Sequence, residues 1–268
     1  MTETARYADD LRLALILADY ADSITSERFG ADDLRVDSKP DMTPVTDADR
    51  AVEDRLRSEL SHARSRDAVI GEERGQTGHS NRQWIIDPID ATKNFVRGVP
   101  VWATLIGLME DGKMVAGVVS APALRTRWWA AAGQGAWMAR VGAARKQLHV
   151  SQVADVAHAS LSYSSLEGWR EADRGREFLE MQSACWRSRA FGDFWSYMLV
   201  AQGAVDIACE PDLALHDMAA LVPIVEEAGG RFTSLTGEDG PGGGNALATN
   251  GLLHDEVLGM LDWEQDVV

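Results

Sequence analysis

Apolar residues recur at helical spacing from the eighth residue onward. Leu11, Leu15, Ala18 and Ile24 share a face, which predicts a first helix over 8–29. Residues 30–44 are polar and turn-rich. Thr46 followed three residues later by Asp49 is a capping pair, so a second helix is expected from there through Leu56 and Leu60 to about residue 64. The pattern then becomes strand-like. Ala68-Val69-Ile70-Gly71 and Trp84-Ile85-Ile86 are short apolar runs, each ending at carboxylates. Residues 103–110 and 113–120 flank Asp111-Gly112 and predict a hairpin, and 127–131 with 136–139 are expected to pair as further strands.

The second half alternates. Strands are expected at 159–163, 186–190, 205–208 and 231–232, and helices at 167–182, 194–202, 217–228 and 252–261. Such alternation predicts a layered α/β arrangement. The whole chain, 1–268, is expected to form one domain, with an N-terminal α+β half (about 1–150) and a C-terminal α/β half (about 151–268). Gly240-Pro241-Gly242-Gly243-Gly244 lacks the strand-and-helix context of a phosphate cradle and reads as a surface loop.

Composition narrows the function classes. With 26 basic against 42 acidic side chains the net charge is −16, which disfavours a protein that clamps nucleic-acid phosphates. No apolar run reaches the ~18 residues of a membrane span. The polar start Met1-Thr2-Glu3 does not read as a signal peptide, and Cys185 and Cys209 are too few for a disulfide framework or a zinc site. A cytoplasmic protein with no membrane or nucleic-acid partner is expected. If its substrate is an anion, a metal ion could bring that anion to so acidic a surface.

Three segments carry candidate chemistry: Gly71-Glu72-Glu73, the run from Trp84 to Phe95, and Leu215-His216-Asp217-Met218-Ala219-Ala220. Singly, each has a structural explanation. Glu72 could be a solvated strand end, Asp87 before Pro88 a turn former, and Asp217 a helix N-cap. Together they point to an ion. A compact Asp87-Pro88-Ile89-Asp90 bend can bring two carboxylates and the Ile89 carbonyl towards one point, and such hard oxygens suit Mg²⁺. Carboxylates gathered without an ion would repel one another. The amides of Ala91 and Thr92, opening a helical turn, suit a phosphate.

On these residues the chain resembles the inositol monophosphatase family of Mg²⁺-dependent phosphomonoesterases. Lys39 to Asp47, Ala228-Gly229-Gly230 and Ala248-Thr249-Asn250 add to the resemblance, which runs nearly the whole chain in order. The chain departs from the family pattern at Ala91, where glycine is usual, and at Lys93, where threonine is frequent. The run Asp90-Ala91-Thr92-Lys93-Asn94-Phe95 and the stretch Phe191-Gly192-Asp193-Phe194-Trp195 look like the histidinol-phosphatase branch.

The resemblance implies an α/β (α+β) fold, a layered αβαβα sandwich of the inositol monophosphatase and fructose bisphosphatase type. It implies Glu72, Asp87, the Ile89 carbonyl, Asp90 and Asp217 as ligands of two or three Mg²⁺ ions, with Mn²⁺ a substitute and Li⁺ an inhibitor. Thr92 with Glu72 would orient the attacking water, and Asp47 would support Thr92 or simply open a helix. Ile89, Asp90, Ala91, Thr92 and Asp217 would line the substrate site. Glu210, seven residues before Asp217, and Asp193 would meet the substrate's organic part, with Arg189 holding either in place. Each of the three also has a structural explanation: Glu210 as a strand-end acid, Asp193 as a helix N-cap and Arg189 as a surface strand residue. His216 is expected to pack. Trp102 and Trp128-Trp129 are dimer contacts or core, in a family that is commonly homodimeric. The leading activity is hydrolysis of L-histidinol phosphate in histidine biosynthesis. The alternatives are an inositol or other sugar monophosphatase of the same fold and, last, a non-catalytic metal- or phosphate-binding protein.

Overall fold

The structure is a computed structural model and describes residues 6–261. Its first helix, α1, spans Ala8–Arg28 and its second, α2, spans Asp47–Ala63. The cap of α2 forms as its sequence demands. The Thr46 hydroxyl accepts from the Ala48 and Asp49 amides, while the Asp49 carboxylate accepts from the Thr46 amide. The polar stretch between the helices is not wholly irregular: β1 (Val36–Ser38) and β2 (Pro44–Thr46) pair as a hairpin whose turn carries Lys39.

An eight-stranded sheet follows. Its strands are β3 (Ala68–Gly71), β4 (Gly75–Thr77), β5 (Arg82–Asp90), β6 (Ala103–Glu110), β7 (Lys113–Ala121), β8 (Thr126–Ala131), β9 (Ala136–Arg140) and β10 (Lys146–Gln147). They lie in the order β10-β9-β8-β7-β6-β5-β3-β4, antiparallel except between β3 and β5. A short helix, α3 (Thr92–Val96), joins β5 to β6. Asp111 and Gly112, with φ of 52° and 78°, make the hairpin turn of β6 and β7. Alternation along β6 divides the core. Ile106 and Leu108 face Leu17, Val52 and Leu56 of α1 and α2, whereas Ala103 and Leu105 face the second half.

That half runs β11 (Ser160–Ser162), α4 (Leu166–Glu171), α5 (Gly175–Ala184), β12 (Arg187–Arg189), α6 (Asp193–Ala201), β13 (Ile207–Glu210), α7 (Leu215–Met218), α8 (Leu221–Glu227), β14 (Arg231–Thr233), β15 (Ala246–Thr249) and α9 (His254–Leu261). Its sheet has the order β12-β11-β13-β15-β14. Phe194, Tyr197, Leu221 and Ile224 of α6 and α8 fill the space between the two sheets, and Trp169, Phe178 and Val257 of α4, α5 and α9 cover the outer face. The layers are therefore helix, sheet, helix, sheet, helix, as expected.

Several elements differ from the sequence pattern. The helix expected over 167–182 is broken into α4 and α5 where Asp173 turns left-handed at φ 57°. The helix expected over 217–228 is split into α7 and α8. Close packing accompanies the split: a Cβ on Gly107 would come within 2.9 Å of Ala219, and one on Gly117 within 2.2 Å of the Ala220 carbonyl oxygen. Only glycine on β6 and β7 lets the α7–α8 junction lie this close to the sheet. Trp102 and Trp128 are core residues. Trp102 is fully buried against Phe29 and Phe95, and Trp128 packs on Phe194, so neither offers a dimer contact; Trp129 is half-buried. No helix among the described residues is long and apolar enough to cross a membrane.

Candidate active site

Residues three apart on a regular strand point to opposite faces, so Asp87 and Asp90 should not meet. They do because β5 is irregular there. Its pairing with β6 runs in register to Asp87↔Leu105, then shifts before Asp90↔Ala103. Pro88 sits in the shift and lacks a ladder N–H; its carbonyl accepts from the Thr104 hydroxyl at 2.7 Å. Asp217 arrives from α7, its carboxylate accepting the Ala214 amide at 2.7 Å. One oxygen from each of Asp87, Asp90 and Asp217 lies within 4.8 Å of the other two.

This cluster is electrostatically uncompensated. Asp87 is 2% exposed, and its Oδ1 has no hydrogen-bond partner. Burial holds its carboxyl well above the usual range, and the charges of Glu72, Asp90 and Asp217 push the same way. Asp90 is raised by burial and then by Asp193 and Asp217, although the Phe194 amide, donating at 2.9 Å, stabilises its charged form. Asp217 is also raised, chiefly by burial; His216, whose Nε2 is 3.7 Å away, opposes the shift. His216 is thus half-buried beside an acid rather than simply packed. All the donors are hard oxygens, and an orphaned buried carboxylate oxygen faces two more carboxylates. The residues present fit a divalent cation.

Glu72 follows β3, its amide donating to the Ile86 carbonyl at 3.2 Å. Lys39 Nζ lies 2.6 Å from both Glu72 Oε1 and Glu73 Oε1. Burial alone would lower the Lys39 pKa, but the two glutamates more than reverse that and keep it charged. Sequence reasoning gave Lys39 no role, because the pair spans 33 positions and no local pattern signals it.

Asp47 is directed elsewhere. Its Oδ2 accepts from Arg28 Nη2 at 2.9 Å, and no hydrogen bond joins it to Thr92 among the described residues. The acid at that helix start which feels Glu72 and Glu73 is Asp49, 1% exposed and pushed up to about 7 by burial and then by those charges. Sequence reasoning read Asp49 only as a cap. Thr92 donates its hydroxyl proton to the Ile89 carbonyl at 2.9 Å. Ala91 is left-handed, with φ 65°, which explains why glycine suits this position; an alanine there costs roughly 1 kcal/mol.

Close to the same cluster, Glu210 ends β13 and is 7% exposed. Burial pushes its carboxyl up to about 8, with Asp193 and Asp217 adding to the shift and the Ser164 and Tyr197 hydroxyls opposing it. Asp193 opens α6, its amide donating to Ser164 Oγ at 2.8 Å. It is held at about 6 by burial and Asp217, against the pull of Lys93. Arg189 is exposed on the edge strand β12 and donates to the adjacent Ser188 carbonyl; it contacts neither Asp193 nor Glu210 among the described residues. Lys93, not Arg189, is the cation whose charge Asp193 feels.

The chain is similar to known proteins over nearly its whole length. The model of the inositol monophosphatase family matches residues 8–262. A histidinol-phosphatase of Mycobacterium tuberculosis is 60% identical over 255 residues, covering 95% of this chain and 98% of that protein. A histidinol-phosphatase of Streptomyces coelicolor is 57% identical over 260 residues, covering 96% and 98%. Among solved structures, an inositol monophosphatase from Zymomonas mobilis superposes with a TM-score of 0.85 at 32% identity, covering 96% of this chain and 99% of that one.

Proposed function

The chain belongs to the inositol monophosphatase family, and from that premise we propose that it hydrolyses L-histidinol phosphate to L-histidinol and inorganic phosphate. The observation that carries the phosphatase reading is the mutual approach of Asp87, Asp90 and Asp217 with an unpartnered buried oxygen on Asp87. The histidinol reading is supported by the relatives at 57% and 60% identity and by two acids, Glu210 and Asp193, near the cluster.

Glu72, Asp87, Asp90, Asp217 and the Ile89 carbonyl would hold Mg²⁺. When bound, Mg²⁺ supplies Lewis acidity, which lowers the pKa of nearby water and neutralises charge developing on the leaving oxygen. The protein's own groups do the rest. The Thr92 hydroxyl has committed its proton to Ile89, so its oxygen can only accept, and it orients a water by taking one of that water's hydrogens. The Ile89 carbonyl keeps a second lone pair for a ligand. The Ala91 and Thr92 amides hold the phosphate. Glu72 takes the proton of the attacking water, and Asp49, in place of Asp47, is the acid at the start of α2 that lies close enough to feel the charge of Glu72. Glu210 and Asp193 receive the substrate's ammonium and imidazole. The reading keeps a cytoplasmic homodimer, with surfaces other than Trp102 and Trp128 at its interface.

Removing divalent ions with EDTA is expected to abolish phosphate release, and excess Mg²⁺ or Mn²⁺ to restore it, because the donors are all oxygens. Full activity in metal-free buffer would refute the metal-dependent reading.

A further inference from the structure

The turn bearing Glu72 is built around a carboxylate that the reaction does not use. Glu53, on α2, is fully buried. Its Oε2 accepts from the Glu73 amide at 2.7 Å, and its Oε1 accepts from the Arg74 amide at 3.0 Å and from Arg57 Nε at 2.7 Å. Arg57 is itself fixed to β3 and β4, donating to the Val69 carbonyl at 3.4 Å, to the Thr77 hydroxyl at 3.0 Å and to the Gly75 carbonyl. A Cβ on Gly71 would lie 2.2 Å from Glu53 Oε1. Glycine precedes Glu72-Glu73 because the Glu53 carboxylate occupies that space.

The consequence falls on Glu72. Its own amide is committed to the Ile86 carbonyl, and the next two amides are committed to Glu53. Three successive N–H groups are therefore anchored, two of them by one side chain from another element. The Glu72 backbone cannot swing away from β5, and its carboxylate is presented to Asp87. Arg57 pairs with the carboxylate that does the anchoring, so the buried group is not left without a partner.

We propose that Glu53 is a positioning residue for the divalent-ion site: with Gly71 it sets the turn that aims Glu72 at Asp87. This rests on the reading of Glu72 as a metal ligand. Outer groups that orient ligands typically contribute about 10–100-fold in metal affinity. The test is calorimetric titration of Mn²⁺ into the metal-free protein, with thermal unfolding measured on the same samples. Glu53→Gln keeps the shape but puts an amide N–H₂ against backbone N–H groups. It is expected to weaken Mn²⁺ binding roughly 10-fold or more, and to raise the half-activating Mg²⁺ concentration in parallel, with most of kcat recovered at saturating ion. Gly71→Ala, which displaces the carboxylate from the other side, should shift binding in the same direction. A purely structural role would lower the unfolding temperature and leave the Mn²⁺ affinity of the folded protein unchanged, and that result would overturn the proposal. If Glu53→Gln does not fold, Glu53→Asp, which keeps the charge for Arg57 but shortens the reach, is read in the same way; failure of both to fold would assign Glu53 to the fold and overturn the proposal. A wild-type protein that takes up no Mn²⁺ would instead remove the metal-site reading beneath it.

Discussion

Asp87→Asn is expected to lower phosphate release by at least ~10²-fold while raising the thermal stability of the metal-free protein. The two effects have one cause. Asp87 is buried among Glu72, Asp90 and Asp217, and its carboxyl is raised well above its unfolded value, burial being the largest reason. A carboxyl with a raised folded pKa favours the fold while it is protonated. That contribution is lost as pH rises from the unfolded value of ~3.9 through the folded one. Above the unfolded value the carboxyl therefore costs the metal-free fold stability, and asparagine removes the titrating group while keeping the shape. Each kcal/mol of repulsion relieved is worth roughly 2–4 °C in a protein of this size. Mg²⁺ should stabilise the wild type more than the variant, since a ligand that binds only the folded state raises its stability by mass action. Phosphate release and thermal unfolding with and without Mg²⁺ check both halves. A variant with wild-type rate is not a ligand mutant. A variant that loses rate and also melts lower without metal would make Asp87 a structural acid.

Glu210→Gln is expected to raise KM for histidinol phosphate while leaving a small phosphate ester with a neutral head group almost unchanged. Glu210 is buried at the end of β13, where burial, with the charges of Asp193 and Asp217, pushes its carboxyl up to about 8. A substrate ammonium would supply the missing partner. A charge-assisted hydrogen bond contributes roughly 1.5–3 kcal/mol, or ~10–150-fold in affinity. Glutamine keeps the volume, so lost packing is a poor alternative explanation. Steady-state kinetics on the two esters decides it: equal losses on both would assign Glu210 to the metal site or to the fold.

What the sequence made legible was local chemistry. The cap of α2 involves Thr46 and Asp49 three residues apart, and it forms as read. The β6–β7 hairpin follows from Asp111-Gly112, two adjacent residues that accept positive φ. The meeting of Asp87 and Asp90 is legible as a compact bend at Pro88, and it forms; that the bend takes the shape of a register shift against β6 is not legible, because it depends on the neighbouring strand. The assignment of Asp47 rather than Asp49 had the same root. Both open α2, and only Arg28 from α1 and the Glu72-Glu73 turn after β3 distinguish which acid faces where. Lys39, Glu53 and the inner strand β15 were illegible because their partners lie far along the chain. The split of α7 from α8 requires knowing that Gly107 and Gly117 lie beneath it.

Which phosphate ester the site takes is directly measurable. The direct measurement is the ratio of kcat/KM for L-histidinol phosphate to that for inositol 1-phosphate, both by phosphate release at saturating Mg²⁺. With Glu210 and Asp193 placing carboxylates beyond the cluster of Asp87, Asp90 and Asp217, the ratio should favour histidinol phosphate by at least the ~10-fold that one charge-assisted hydrogen bond supplies. A ratio at or below one would contradict the assignment, leaving a phosphatase of this family whose acids serve a different substrate.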